Sequence, residues 1–341
     1  MLRLTRSIRA ALVAGVALLC SAGANAQSAT LYGVLDASGA HVKPVGGQGA
    51  YFLDSGDLTR SFIGFRGAED LGGGLRAVYK LESYVRLDIG TVGRSASDTF
   101  FSRESSVGLS GAFGTTVLGR TASPLWLTTI NFNPFGEAAG FSPSARQYFG
   151  GGGAMLGDTR WNNSINYANS STDAPLRINV AANLANLNGM PQLGHNYGGS
   201  VAYITGPFAV AAAVERIRNS GQALPAGFDR QKAFQLDATY DFKILRVYGQ
   251  VGRVKTEANE DLQTILYQLG AAVPIGNGLV MASYGRSHMK GRLSGTTDRS
   301  SALGYDYFLS KNTDIYVAAL YEKLSFVSSG NSVAGGVRIR F

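Results

Sequence analysis

The chain has 341 residues, a formal net charge of +8 and one cysteine, Cys20. A lone thiol excludes a disulfide framework and cysteine metal sites, and bases interspersed with acids exclude the clustered basic patch of a nucleic-acid binder. Only 16% of residues are charged, against 45 glycines, 16 tyrosines and 17 phenylalanines, which fits strands and tight turns better than helices.

The first element is a targeting segment. Arg3, Arg6 and Arg9 precede an apolar run from Ala10 to Leu19, and Ala24-Asn25-Ala26 forms a small-x-small cleavage site. The run is about half of the ~20 residues a membrane-spanning helix needs, so residues 1–26 read as a cleaved signal peptide. Leu19 is too bulky for the position before a lipid-bearing cysteine, so Cys20 leaves with the signal. The mature chain, 27–341, then carries a net charge of +5 and no thiol.

From residue 30 onward the sequence alternates with period two in blocks of about ten, the pattern of membrane strands. Phe234, Leu236, Ala238 and Tyr240 share one face, and Gln235, Asp237 and Thr239 the other. Leu176 to Leu184 and Val333 to Phe341 repeat it. Strands are expected to begin near Thr30, Leu58, Leu75, Phe100, Thr115, Trp161, Leu176, Asn196, Phe208, Gln231, Ile244, Thr264, Leu279, Ser300, Asp314 and Val333. Seven tight turns separate them in pairs: 72–74, 111–114, 170–174, 206–207, 242–243, 276–278 and 311–312. Longer polar stretches alternate with these turns, among them 44–57, 88–99, 187–195, 219–230 and 325–332. Short turns on one rim and long loops on the other indicate a sixteen-stranded antiparallel transmembrane β-barrel of one domain. Tyr305, Tyr307, Tyr316 and Tyr321 are placed to form aromatic girdles at the strand ends.

One connection, Thr121 to about Asp158, far exceeds the rest, and loops of that length are functional or disordered. Its apolar anchors Phe132, Phe135 and Phe141 argue for a loop folded into the barrel. Asn133-Pro134-Phe135-Gly136-Glu137 lies at its centre, with Glu137 as the loop acid. Charged side chains belong on the lumen side, because a mid-bilayer Arg or Lys facing lipid costs roughly 2–4 kcal/mol. Alternation directs Arg60, Arg66, Lys80, Arg160, Arg338 and Arg340 inward, with Arg60 and Arg160 the leading lining candidates. Cations facing carboxylates across a narrow gap favour small anions. Arg103 shares parity with the outward Val107 and Leu109, so either a bulge re-aims it or it sits at the rim.

Chemistry is otherwise sparse. His41, His195 and His288 lie in separate segments without metal-ligand spacing, no G-x-S-x-G occurs, and the glycines at 150–153 lack the Lys-Ser/Thr of a phosphate loop. No enzyme activity, cofactor or metal is expected.

Several stretches resemble the general trimeric porins of Gram-negative bacteria, in particular the β-proteobacterial branch. These are Thr30-Leu31-Tyr32-Gly33-Val34-Leu35-Asp36, the hairpin Ile63-Gly64-Phe65-Arg66-Gly67-Ala68-Glu69-Asp70-Leu71-Gly72-Gly73-Gly74-Leu75, Leu118-Gly119-Arg120, Asn162-Asn163-Ser164-Ile165-Asn166-Tyr167 and the terminal Arg340-Phe341. The resemblance covers the mature chain and implies a homotrimer in outer-membrane lipid and lipopolysaccharide, with the third extracellular loop folded inward as the constriction. It also implies that Phe341 is recognised by the outer-membrane assembly machinery, and that Arg103 occupies a family arginine position. One departure stands out, since Phe62 occupies a lumen position where the family usually carries arginine.

The expected function is passive diffusion of ions and small hydrophilic solutes through a water-filled channel, with mild anion preference. The alternatives are a substrate-specific channel for a sugar or organic acid, or a non-conducting adhesin or structural barrel.

Overall fold

The period-two pattern is realised as strands along almost the whole chain in a computed structural model, which describes residues 28–138, 140–150, 153–169, 174–184, 195–218, 226–291 and 295–341. The expected signal segment 1–26 lies outside the described residues. Eighteen strands are present among them: β1 (Ser28–Lys43), β2 (Ala50–Ser55), β3 (Phe62–Gly72), β4 (Leu75–Arg86), β5 (Thr91–Val92), β6 (Glu104–Gly111), β7 (Gly114–Ala122), β8 (Arg160–Ala168), β9 (Leu176–Asn183), β10 (Tyr197–Thr205), β11 (Phe208–Ile217), β12 (Arg230–Asp241), β13 (Arg246–Glu257), β14 (Leu262–Ile275), β15 (Gly278–Lys290), β16 (Thr296–Phe308), β17 (Thr313–Leu324) and β18 (Gly330–Arg340). Two helices, α1 (Pro124–Asn131) and α2 (Pro143–Phe149), lie between β7 and β8.

Neighbouring strands pair antiparallel around the ring, and β18 pairs with β1 from Val34 opposite Arg340 to Lys43 opposite Asn331. The sheet is therefore closed and leaves no free edge, which satisfies every wall strand's backbone inside lipid. β5 belongs to a connection, and β2 and β3 occupy one wall position beside β1, leaving sixteen wall positions. Alternation sorts the side chains as the sequence indicates. In β12, Phe234, Leu236, Ala238 and Tyr240 are exposed outward while Gln231, Ala233, Gln235 and Asp237 are buried inward.

Six of the seven expected tight turns lie within the described residues and join successive wall strands, and most of 170–174 lies outside them. The turn at 72–74 has three glycines with positive φ, where a Cβ would be strained. Two expectations are corrected. The polar stretch 44–57 holds a strand, because Tyr51, Phe52 and Leu53 pair with β1, and the second wall strand resumes only at Phe62. Tyr316 belongs to no girdle: it faces the lumen, buried, and donates a 2.6 Å hydrogen bond to Asp36 Oδ1.

Candidate constriction site

Two Ser-Pro pairs start the helices of the long connection. Ser123 and Ser142 cap them by accepting from Trp126 N and Ala145 N, and Pro124 and Pro143 hold the first helical position, whose N–H needs no partner. These caps were legible in the sequence, yet the stretch reads there as irregular. Asn133 then locks the central turn, donating to Thr129 O and Gly136 O while its Oδ1 accepts from Phe135 N and Ser142 Oγ.

The connection lies on inward-facing side chains of the wall. Phe132 packs on Ala209 and Ala211, and Phe135 and Phe141 pack among Met281, Ala302, Ala318 and Ala334. Polar anchors fix the same path: Thr129 Oγ1 donates to Gln235, Gln147 donates to Ser300, and Arg146 pairs with Glu322 at 2.7 Å. Room for it comes from missing side chains. A Cβ on Gly252 would lie 1.6 Å from Tyr148 Oη, one on Gly270 2.6 Å from Pro134, and one on Gly285 2.9 Å from Pro143. The third long connection thus occupies the lumen side of β10–β18, and its acid Glu137 reaches back toward β4 and β6.

Arg103 meets Glu137 there. It immediately precedes β6, its N–H bonded to Glu82 O, so the pleat does not fix its side chain and the parity conflict disappears. Its guanidinium pairs with Glu82 at 2.9 Å and Glu137 at 3.1 Å, and lies 4.1 Å from the Phe62 ring centroid and 5.5 Å from that of Tyr84. Phe62 is buried edge-on against Tyr32, whose hydroxyl donates to Glu82. Two acids and two rings thus hold one guanidinium that spans from wall to loop. Glu82 was findable from sequence, because it shares inward parity with Lys80. Lys80 itself pairs with Glu104 at 3.4 Å and stands apart from this group.

Arg60 and Arg160 are placed differently from simple alternation. Arg60 lies in the segment 56–61 that leaves the sheet between β2 and β3, and it forms no ion pair among the described residues. Burial pulls its guanidinium below the ordinary arginine value, with neighbouring Arg94 acting in the same direction and Glu137 and Asp98 opposing it. Arg160 is buried and donates from Nε to Arg103 O at 2.8 Å, so it supports the arginine at the gap through the backbone. A bulge at Asn163, with φ 49°, turns Trp161 inward and breaks the alternation assumed for this strand.

A clasp that the sequence did not reveal closes this group above. Arg94 holds Asp158 by two bonds of 2.8 and 3.1 Å and also holds Asp98, while Arg120 reaches Asp158 at 2.9 Å. Burial pushes the Asp158 carboxyl up, but the bonds and charges of Arg94 and Arg120 outweigh it and hold it well below the usual carboxylate range. Burial likewise lowers Arg94, and its two acids more than offset that. Arg94 and Asp158 are 64 residues apart, so no local pattern could pair them. A polar cavity of about 620 Å³ opens beside this clasp, lined by Ser97, Ser102, Asn162, Asn183 and Asn196.

Known proteins share this architecture. A family model described as Gram-negative porin matches residues 10–325. The chain is 31% identical to outer membrane porin protein 32 of Delftia acidovorans over 98% of this chain and 93% of the relative. It is 26% identical to an outer membrane porin protein of Bordetella pertussis over 98% of each. Among solved structures, an anion-selective porin from Comamonas acidovorans superposes with a TM-score of 0.78 at 27% identity, covering 92% of this chain and 100% of that one. OmpT of Vibrio cholerae, at 13% identity and a TM-score of 0.70 over 94% and 99% of the two chains, shares the fold.

Proposed function

Because the chain belongs to the Gram-negative porin family, we propose that the gap beside Arg103 is the selectivity-setting constriction of an outer-membrane channel passing ions and small hydrophilic solutes with a mild preference for anions. The observation that carries this is the charge balance around the gap. Arg60, Arg94, Arg103, Arg120 and Arg160, five cations, stand against the four acids Glu82, Asp98, Glu137 and Asp158, and every acid is held by an arginine while the guanidinium groups of Arg60 and Arg160 meet no acid among the described residues. One excess cation at a narrow, water-filled passage raises the local anion concentration without building a trap. The anion-selective Comamonas neighbour supports the same sign. Passage of this kind needs no catalytic group and no cofactor.

The rest of the reading follows the family. Residues 1–26 serve as a cleaved signal, and the barrel works as a homotrimer in lipid and lipopolysaccharide. Phe341 pairs with Gly33 through both backbone groups beside the closing strand and leaves its ring half exposed, as suits a recognition end for the assembly machinery.

Reversal potentials of the refolded protein in planar bilayers under a salt gradient test the preference. Chloride is expected to permeate more readily than potassium, and a cation-selective channel would overturn the assignment.

A further inference from the structure

The second wall strand is interrupted in an unequal way. Val34 pairs with Phe62 and Ala37 with Ser55, so six residues, 56–61, stand opposite only Leu35 and Asp36. Six residues cannot lie flat against two, and the surplus leaves the sheet inward. Gly56 makes the exit at φ 85°.

Asp36 holds this segment from beneath. Its Oδ2 accepts from Leu58 N at 3.0 Å and Thr59 N at 2.7 Å, its own N–H donates to Ser61 Oγ at 2.9 Å, and its carbonyl accepts from Gly56 N at 2.9 Å. Ser38 donates to Asp57 at 2.6 Å, and Arg338 donates to Thr59 Oγ1 at 2.8 Å. Asp36 is fully buried, so these bonds form away from bulk water, where a lost acceptor strands its donors. The far side of the segment meets the long connection. Leu58 packs with Phe135, Ala138 and Phe141, and a Cβ on Gly140 would lie 2.9 Å from Asp57 Oδ1.

We propose that residues 56–61 form a second constriction element, a wedge that seals the space between the long loop and the β1–β18 wall, and that Asp36 is the positioning residue that fixes it with Arg60 facing the remaining aperture. The inference rests on the channel reading above. It explains how this chain keeps a cation at the gap although Phe62 stands on the strand face: the charge comes from the wedge, and the aromatic ring becomes a platform for Arg103.

The test uses the refolded full-length mature chain in planar bilayers, with heat-shifted gel mobility as the control for barrel folding. Asp36→Ala should raise single-channel conductance by roughly twofold, as a second path opens, and bring the anion preference toward neutrality. A merely structural role would lower the folded yield and leave both properties of the folded fraction unchanged, which would overturn the proposal. Arg60→Cys gives an arm independent of Asp36, because the mature chain has no other thiol. A cationic thiosulfonate, which joins the thiol as a mixed disulfide with loss of sulfinate, should restore anion preference, and an anionic one should reverse it. No response to either reagent in conducting channels would overturn the placement of Arg60. A wild-type protein that does not conduct would instead defeat the channel reading itself.

Discussion

Arg103 shows how much one side chain decides when it is held on four sides. Two unit charges about 4 Å apart attract by about 4 kcal/mol at the effective dielectric near a protein surface, so losing the guanidinium leaves Glu82 and Glu137 facing the gap uncompensated. Arg103→Gln is expected to turn the reversal potential toward cation preference and to raise conductance, since the tie from wall to loop is cut. Glu137→Gln should move selectivity the opposite way, and matching shifts from both variants would contradict the bridge. The position of Arg103 was hard to read from sequence for a definite reason. It stands one residue before the ladder begins, where parity no longer governs direction. Arg60 escaped parity in the same way, because nothing local distinguishes a six-residue excursion from a continuing strand.

At the scale of elements, the long connection was legible as an inward loop through its phenylalanines, while its seat was written in the partner strands as glycine and alanine at inward positions. Gly252 and Gly249 belong to the same strand and make a controlled comparison. A methyl at 252 collides with the buried Tyr148 hydroxyl, whereas one at 249 meets only Leu269 at 3.9 Å. Gly252→Ala should cost about 1–3 kcal/mol as overpacking and displace the loop, seen as a lower urea midpoint and altered conductance, with Gly249→Ala close to wild type. Equal effects would show that Tyr148 does not fill that seat. The Arg94–Asp158–Arg120 clasp answers to pH. The folded Asp158 value lies below the unfolded one of about 4, so its stabilising contribution is complete above that pH and is lost only as pH falls through the lower folded value. Asp158→Asn should therefore raise open-channel current noise, which reports loop motion, above that of the wild type throughout about pH 7 to pH 5. Equal noise in the two proteins over this interval would sink the assignment.

At the scale of the whole molecule, sixteen wall positions were readable because two independent signals agree: alternation gives each strand its faces, and tight turns spaced against long loops give the count. What local signals could not supply were contacts joining distant segments, such as Asp36 with Tyr316, which closure brings together. The closed ring also separates two solvents across one backbone, and that separation is measurable. Leu236 lies mid-strand on the outer face and Ser106 points into the lumen. Arginine at 236 meets hydrocarbon and should destabilise the barrel by about 2–4 kcal/mol in urea unfolding from lipid vesicles. Ser106→Arg places the new guanidinium opposite the half-exposed Lys80 and beside Glu104, from where its long side chain can reach the lumen water, so its cost should fall well below that value while its charge strengthens anion preference. Equal destabilisation at both sites would mean that the inner face is packed rather than wet, and the barrel would then be a plugged structure instead of a channel.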